Sequence, residues 1–165
     1  MKARIQRLRA EIQSDWRAFE EQLEELASVQ IGFTDARAAR QGELARAAVA
    51  LHHGYGAVEA ALARLARVLG EGLPEGPDWH QALLHAMALE IEGVRPAVLS
   101  AESLSRLRRL LGFRRFFRHA YAVSLDSERL AALRDEALAV RESLRDDVAR
   151  LDAYLDQLAS AAGEP

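Results

Sequence analysis

An all-α, up-and-down bundle of about five helices is the fold this sequence predicts, and three observations predict it. Apolar residues recur at three- and four-residue steps over long stretches, which is the period of a helix with one buried face. Alanine, leucine, arginine and glutamate dominate the chain, and all four favour helix. No alternating run of β-branched residues and no Asn-Gly pair marks a strand or hairpin. The 165 residues fit one domain, 1–165. A chain of that length buries about two-thirds of its unfolded surface.

The first helix is expected over residues 2–29, where Ile5, Leu8, Ile12, Trp16, Phe19, Leu23 and Leu26 make one stripe. Residues 30–34 break the pattern at Gly32, and Thr34 or Asp35 can cap the next helix. That second helix is long, expected over 35–70, with its stripe running from Leu44 and Ala48 through Tyr55 and Val58 to Leu65 and Leu69. Gly54 and Gly56 sit inside it, each costing about 1 kcal/mol relative to alanine. They point either to close helix packing or to room for a ligand or a partner chain. GEGLPEGP, residues 70–77, is the clearest loop.

Asp78 then caps a third helix, expected over 79–92, with Trp79, Leu83, Met87 and Ile91 in register. Arg95-Pro96 is expected to end that element, because proline disfavours helix in the residue before it. Ser100 suits an N-cap and Glu102 a first turn, opening a fourth helix to about Val123. Asp126 or Ser127 caps a fifth, over about 128–161, whose apolar faces include Leu130, Val140, Leu144, Leu151 and Leu155. Broad stripes on long helices also suit pairing between chains, so a homodimer is expected.

Composition removes several function classes. The chain has no cysteine, so disulfides, thiolate metal sites and cysteine catalysis are excluded. Its start, MKARIQRLRAEIQSDW, has no apolar segment of the kind a signal peptide needs. No apolar run approaches the roughly 20 residues of a membrane span. No membrane association and a cytoplasmic location are therefore expected. Net charge is −3, which excludes a globally basic nucleic-acid binder but not a local basic patch.

Such a patch is present. From Ser103 to Leu125 there is no acidic residue, and the window holds Arg106, Arg108, Arg109, Arg114, Arg115, Arg118 and His119. These arginines cannot pair among themselves in the i,i+4 manner of a mixed-sign face. Such a face persists more easily when another helix or an anionic ligand neutralises it, and arginine matches phosphate bidentately. Phe113, Phe116 and Phe117 interleave with the bases and read as core packing. Tyr121 carries a hydroxyl that needs a partner if buried. The neighbouring arginines are expected to lower the pKa of His119 by like-charge repulsion, which suits a general acid or base. On an ideal helix Arg114, Arg118 and Tyr121 share a stripe, whereas Arg114 and His119 lie roughly 140° apart. One straight helix would not aim both at one atom.

The remaining chemistry is weaker. His52 and His53 are adjacent and face different ways. His80 and His85 are five apart, poor spacing for shared metal ligation on a helix. No metal site and no cofactor are expected. There is no glycine-rich phosphate loop with a lysine, and no serine stands in a nucleophile-elbow context.

Arg-x4-His-x-Tyr near the end of a helix in a small all-α domain resembles the HEPN domains, specifically the HepT-like ribonuclease toxins. The match is Arg114-RFFR-His119-Ala-Tyr121. LHHGYGAVE (51–59) resembles that family's helix with a Tyr-x3-Glu element, here Tyr55 and Glu59. PDWHQALLHAM (77–87) and VRPAVLS (94–100) resemble the middle section of one HepT-like branch, and LGFRRFFRHAYAVSLDSERL (111–130) completes the match. Together they place the motif-bearing core at about 35–130, with the first and fifth helices completing the bundle.

The resemblance implies a dimer that brings two Arg–His motifs together in a cleft, and metal-independent cleavage of RNA. His119 would be the general base or acid, and Arg114 would stabilise charge on the phosphorane. Arg109, Arg115 and Arg118 would contact RNA phosphate, with Tyr55 and Glu59 in support. The resemblance also implies a partner, a minimal nucleotidyltransferase antitoxin that transfers AMP from ATP to Tyr121 and so blocks the cleft. Family members often carry a polar residue, commonly Asn or Asp, directly after the motif arginine. Here Arg115 stands there, and Arg118 can share the phosphate contact. The alternative is a non-catalytic HEPN module that binds nucleotide or docks a nucleotidyltransferase.

Overall fold

The computed structural model describes the backbone of residues 1–29, 37–119 and 126–162, and the side chains of 1–29, 41–117 and 126–162. Among these residues the chain forms five helices: α1 Lys2–Ser28, α2 Arg37–Leu69, α3 Trp79–Met87, α4 Ala101–His119 and α5 Ser127–Ala161. The only bridge between extended segments there joins Ile91 and Arg95. The all-α expectation holds, and no described helix is long and apolar enough to cross a membrane.

The stripes read from the sequence are the buried faces. Ile5, Leu8, Ile12, Phe19, Leu23 and Leu26 of α1 are buried, as are Leu44, Ala48, Leu51, Val58, Leu62 and Leu65 of α2. On α5, Leu130, Val140, Leu144, Leu151 and Leu155 are buried. α1 packs along α2 and α5, and α4 packs on α5 and α2. The short α3 leans on α2 and α4. Gly54 explains part of the α1–α2 fit. A Cβ placed there would lie 3.4 Å from the Gln22 Cβ and 3.6 Å from the Phe19 ring. Among the described residues Gly56 has nothing within 4 Å of its Cβ position, so close packing among them accounts for one glycine and not the other.

Asp126 and Ser100 cap their helices as expected, whereas Asp78 precedes α3 without a side-chain cap bond and pairs with Arg115 instead. The Asp126 side chain accepts from the Arg129 N–H at 2.7 Å. The Ser100 hydroxyl accepts from the Ser103 N–H at 3.2 Å. The buried Asp147 carboxylate on α5 adds a second tie, accepting from the Ser100 N–H at 3.0 Å. Such contacts satisfy donors that a helix start leaves open.

The third helix departs from expectation. It ends at Met87, not near residue 92, and Ile91 is exposed rather than on its stripe. The cause is Arg95. Its side chain is 1 % exposed and forms a two-pronged pair with Glu71, with Nη2 at 2.9 Å from the carboxylate. It also donates to the carbonyls of Ala86 at 2.9 Å and Leu89 at 2.7 Å. These carbonyls lie at and just beyond the end of α3, so the guanidinium satisfies acceptors the helix leaves open. The chain returns through Gly93, at φ 74°, a conformation that favours glycine. The expected caps at Thr34 and Asp35, and the extension of the fourth helix to Val123, lie outside the described residues.

Candidate functional site

Helices α2, α3 and α4 meet around a buried polar cluster. Tyr55 and Glu59 are one turn apart on α2, so both face α4. His80 sits in the first turn of α3, on the face that also buries Leu83, Leu84 and Met87. Arg114 comes from α4. Tyr55, Glu59 and His80 are buried, and the Arg114 side chain is only 13 % exposed.

The cluster closes on itself. Arg114 Nη2 donates to Glu59 Oε1 at 2.9 Å. Glu59 Oε2 meets His80 Nδ1. Arg114 Nη1 lies over the His80 ring, 3.0 Å from Nε2 and 3.3 Å from Nδ1. A guanidinium only donates and a carboxylate only accepts. His80 Nδ1–H therefore donates to Glu59, and the ring offers its face rather than a lone pair to Arg114. The Trp79 ring lies against His80, with centroids 3.8 Å apart.

Tyr55 completes the floor. The Arg114 guanidinium stands over its ring, 5.6 Å from the centroid, a cation–π arrangement. The Tyr55 hydroxyl and Arg114 Nε are both buried with no hydrogen-bond partner among the described residues. Burial pushes the Tyr55 hydroxyl well above its ordinary pKa. The Glu59 charge pushes the same way, and Arg114 and Arg115 pull against it.

The rest of the basic helix is less bare than its sequence. Arg109 donates to Glu136 of α5 at 2.9 Å, and Arg106 to the same carboxylate at 3.0 Å. These two arginines, Arg109 foremost, hold the Glu136 carboxyl below its usual range. Arg115 pairs with Asp78 at 2.8 Å, with both groups well exposed. Arg108 is exposed and makes no ion pair among the described residues. The acid-free window is thus neutralised largely from other elements. Phe113 is buried and stacks on Phe117 at 5.7 Å, while Phe116 lies under Arg129 at 5.3 Å. That agrees with packing roles for the phenylalanines.

Of the expected site residues, the structure therefore brings Arg114, Tyr55 and Glu59 into contact. Arg109 and Arg115 lie on the same helix as Arg114 but are tied outward to acids. The helix backbone continues through Arg118 to His119, whose side chains lie outside the described residues, as does all of Tyr121. Reading histidines only as metal ligands misses His80 as a site residue. Its signal is in the sequence: positions 80, 83, 84 and 87 follow the i, i+3, i+4, i+7 pattern of a buried face. A polar residue there needs buried partners.

Residues 46–155 match a family model described as HepT-like protein. No curated protein and no solved structure matches the chain. The matched span contains Tyr55, Glu59, His80 and Arg114, and it covers well over half the sequence. This chain belongs to the HepT-like family of HEPN-type helical proteins.

Proposed function

We propose that this protein is an RNA endonuclease toxin that acts as a homodimer, without a metal ion, and is silenced by AMP transfer to Tyr121. The observation that carries the reading is the state of Arg114. A motif arginine is largely desolvated and held by Glu59 against the His80 ring, and its Nε has no partner among the described residues. Pre-aimed donors of this kind stabilise charge that develops in a transition state.

In the proposed reaction the ribose 2′-oxygen bonds to the adjacent phosphorus and the bond from phosphorus to the 5′-oxygen breaks. The proton of the 2′-hydroxyl goes to a base, and an acid returns one to the departing 5′-oxygen. His119 fits both roles, and a dimer supplies two copies of it. Arg114 would hold the phosphorane oxygens, with Arg118, Arg115 and Arg109 on flanking phosphates. A small nucleotidyltransferase using ATP would be the partner. AMP on Tyr121 would set bulk and negative charge over the cleft.

One observation favours the second reading, a non-catalytic module that binds nucleotide or docks a nucleotidyltransferase. Arg106, Arg109 and Arg115 are already paired with acids, which weakens the field offered to RNA. The deciding experiment incubates purified protein with RNA and a chelator, comparing wild type with Arg114→Ala and His119→Ala. Loss of cleavage of about 10²-fold or more in both variants is expected. Equal cleavage by all three proteins sinks the catalytic assignment. For Tyr121, co-expression with the nucleotidyltransferase and a measurement of intact mass should show an AMP-sized increment that Tyr121→Phe lacks.

A further inference from the structure

We infer that His80 is the positioning residue that sets the aim of Arg114. Its effect on catalysis rests on the ribonuclease reading above, but the positioning itself is a matter of geometry. A carboxylate alone holds an arginine by one edge and leaves the guanidinium plane free to swing. Here Glu59 holds Nη2 at 2.9 Å, and Nη1 rests on the His80 ring, 3.0 Å from Nε2 and 3.3 Å from Nδ1. A carboxylate and a ring face on different helices define both the direction and the plane of the fork. The bond from His80 Nδ1 to the second Glu59 oxygen fixes the ring in turn.

The placement is costly to stability, which is why it is informative. Position 80 lies on a face otherwise filled by Leu83, Leu84 and Met87. A leucine there would extend the core and bury no polar atom. A buried imidazole must instead have its ring nitrogens satisfied. His80 Nδ1 meets this need through Glu59, while the ring face packs on Arg114. The fork also stands over the Tyr55 ring, with the Arg114 side chain only 13 % exposed. A displacement of the reacting group by about 1 Å can cost about 10²-fold in rate, and the ring guards against such a displacement.

The test uses the full chain with His80→Leu and His80→Gln. Glutamine retains a donor for Glu59 and a flat amide face for Arg114, while leucine retains neither. With short RNA, His80→Leu is expected to lower kcat by about 10²-fold, with KM within about twofold of wild type and an unchanged helical circular-dichroism signal. His80→Gln is expected to recover most of kcat. Wild-type rates in His80→Leu, or a His80→Gln as impaired as His80→Leu, overturn the inference. A second arm needs no activity. Nitrogen-15 NMR should show the Arg114 Nη signals resolved in wild type and merged in His80→Leu as the fork is released. Arg114 signals unaffected by His80→Leu also overturn the inference. If these signals behave as expected and wild type cleaves no RNA, the ribonuclease reading fails and the positioning role stands.

Discussion

Glu59 is the residue on which the cluster depends, because among the described residues it is the only anion touching both Arg114 and His80. Removing one member of a buried pair leaves the other charge desolvated without compensation, a loss of about 3 kcal/mol. Glu59→Ala is therefore expected to lower the unfolding free energy in urea by that amount, and an unchanged value would show that water reaches Arg114. Tyr55 should behave in the opposite way. Its hydroxyl is buried and without a partner among the described residues, so Tyr55→Phe removes an unsatisfied group and should raise stability by about 1 kcal/mol. The raised pKa adds a pH signature. Above the ordinary tyrosine value of about 10, the unfolded chain loses this proton while the folded chain keeps it. Stability from this group is whole below that pH and is lost as pH climbs beyond it. Unfolding curves on either side of that value should show the wild type losing more stability than Tyr55→Phe, and parallel losses would refute the assignment.

Among the elements, α3 shows where reading by period stops. The stripes of α1, α2 and α5 are legible because each is a long local repeat, and burial follows it residue by residue. The end of α3 is not legible, because Arg95 terminates it by reaching Glu71, 24 residues away in sequence. Read locally, Arg95 is only the residue before a proline. Likewise, the acid-free window of α4 is a correct count with an incomplete meaning, since Glu136, Asp78 and Glu59 neutralise it from elsewhere. Local spacing places Arg114 on a helix, and the family resemblance names Tyr55 and Glu59. Only the tertiary fold joins them and adds His80. The reading of Arg95 can be checked. Arg95→Met should cost about 3 kcal/mol by leaving Glu71 and the α3 carbonyls without donors, measured by urea unfolding. Gly56→Ala, where a Cβ meets nothing within 4 Å among the described residues, should instead gain about 1 kcal/mol.

For the whole molecule the open question is how many chains make one site. Arg114 and His119 stand on one helix at a separation of roughly 140°, and Arg114 is turned inward and held between α2 and α3. An ideal straight helix would therefore not aim both side chains at one atom. In a two-fold dimer each patch faces its own counterpart, so one copy's Arg114 can meet the other copy's His119 across the cleft. That arrangement has a consequence no single-chain site shares. Arg114→Ala and His119→Ala should each be inactive alone, yet mixing them in equal amounts should restore activity. Half of the randomly assorted dimers would be mixed, and each mixed dimer would hold one intact pair out of two. The expected recovery is about a quarter of the wild-type rate. Co-refolded mixtures that stay as inactive as the separate variants would mean that arginine and histidine act from the same chain. The helix would then have to bend beyond Phe117 to bring them together.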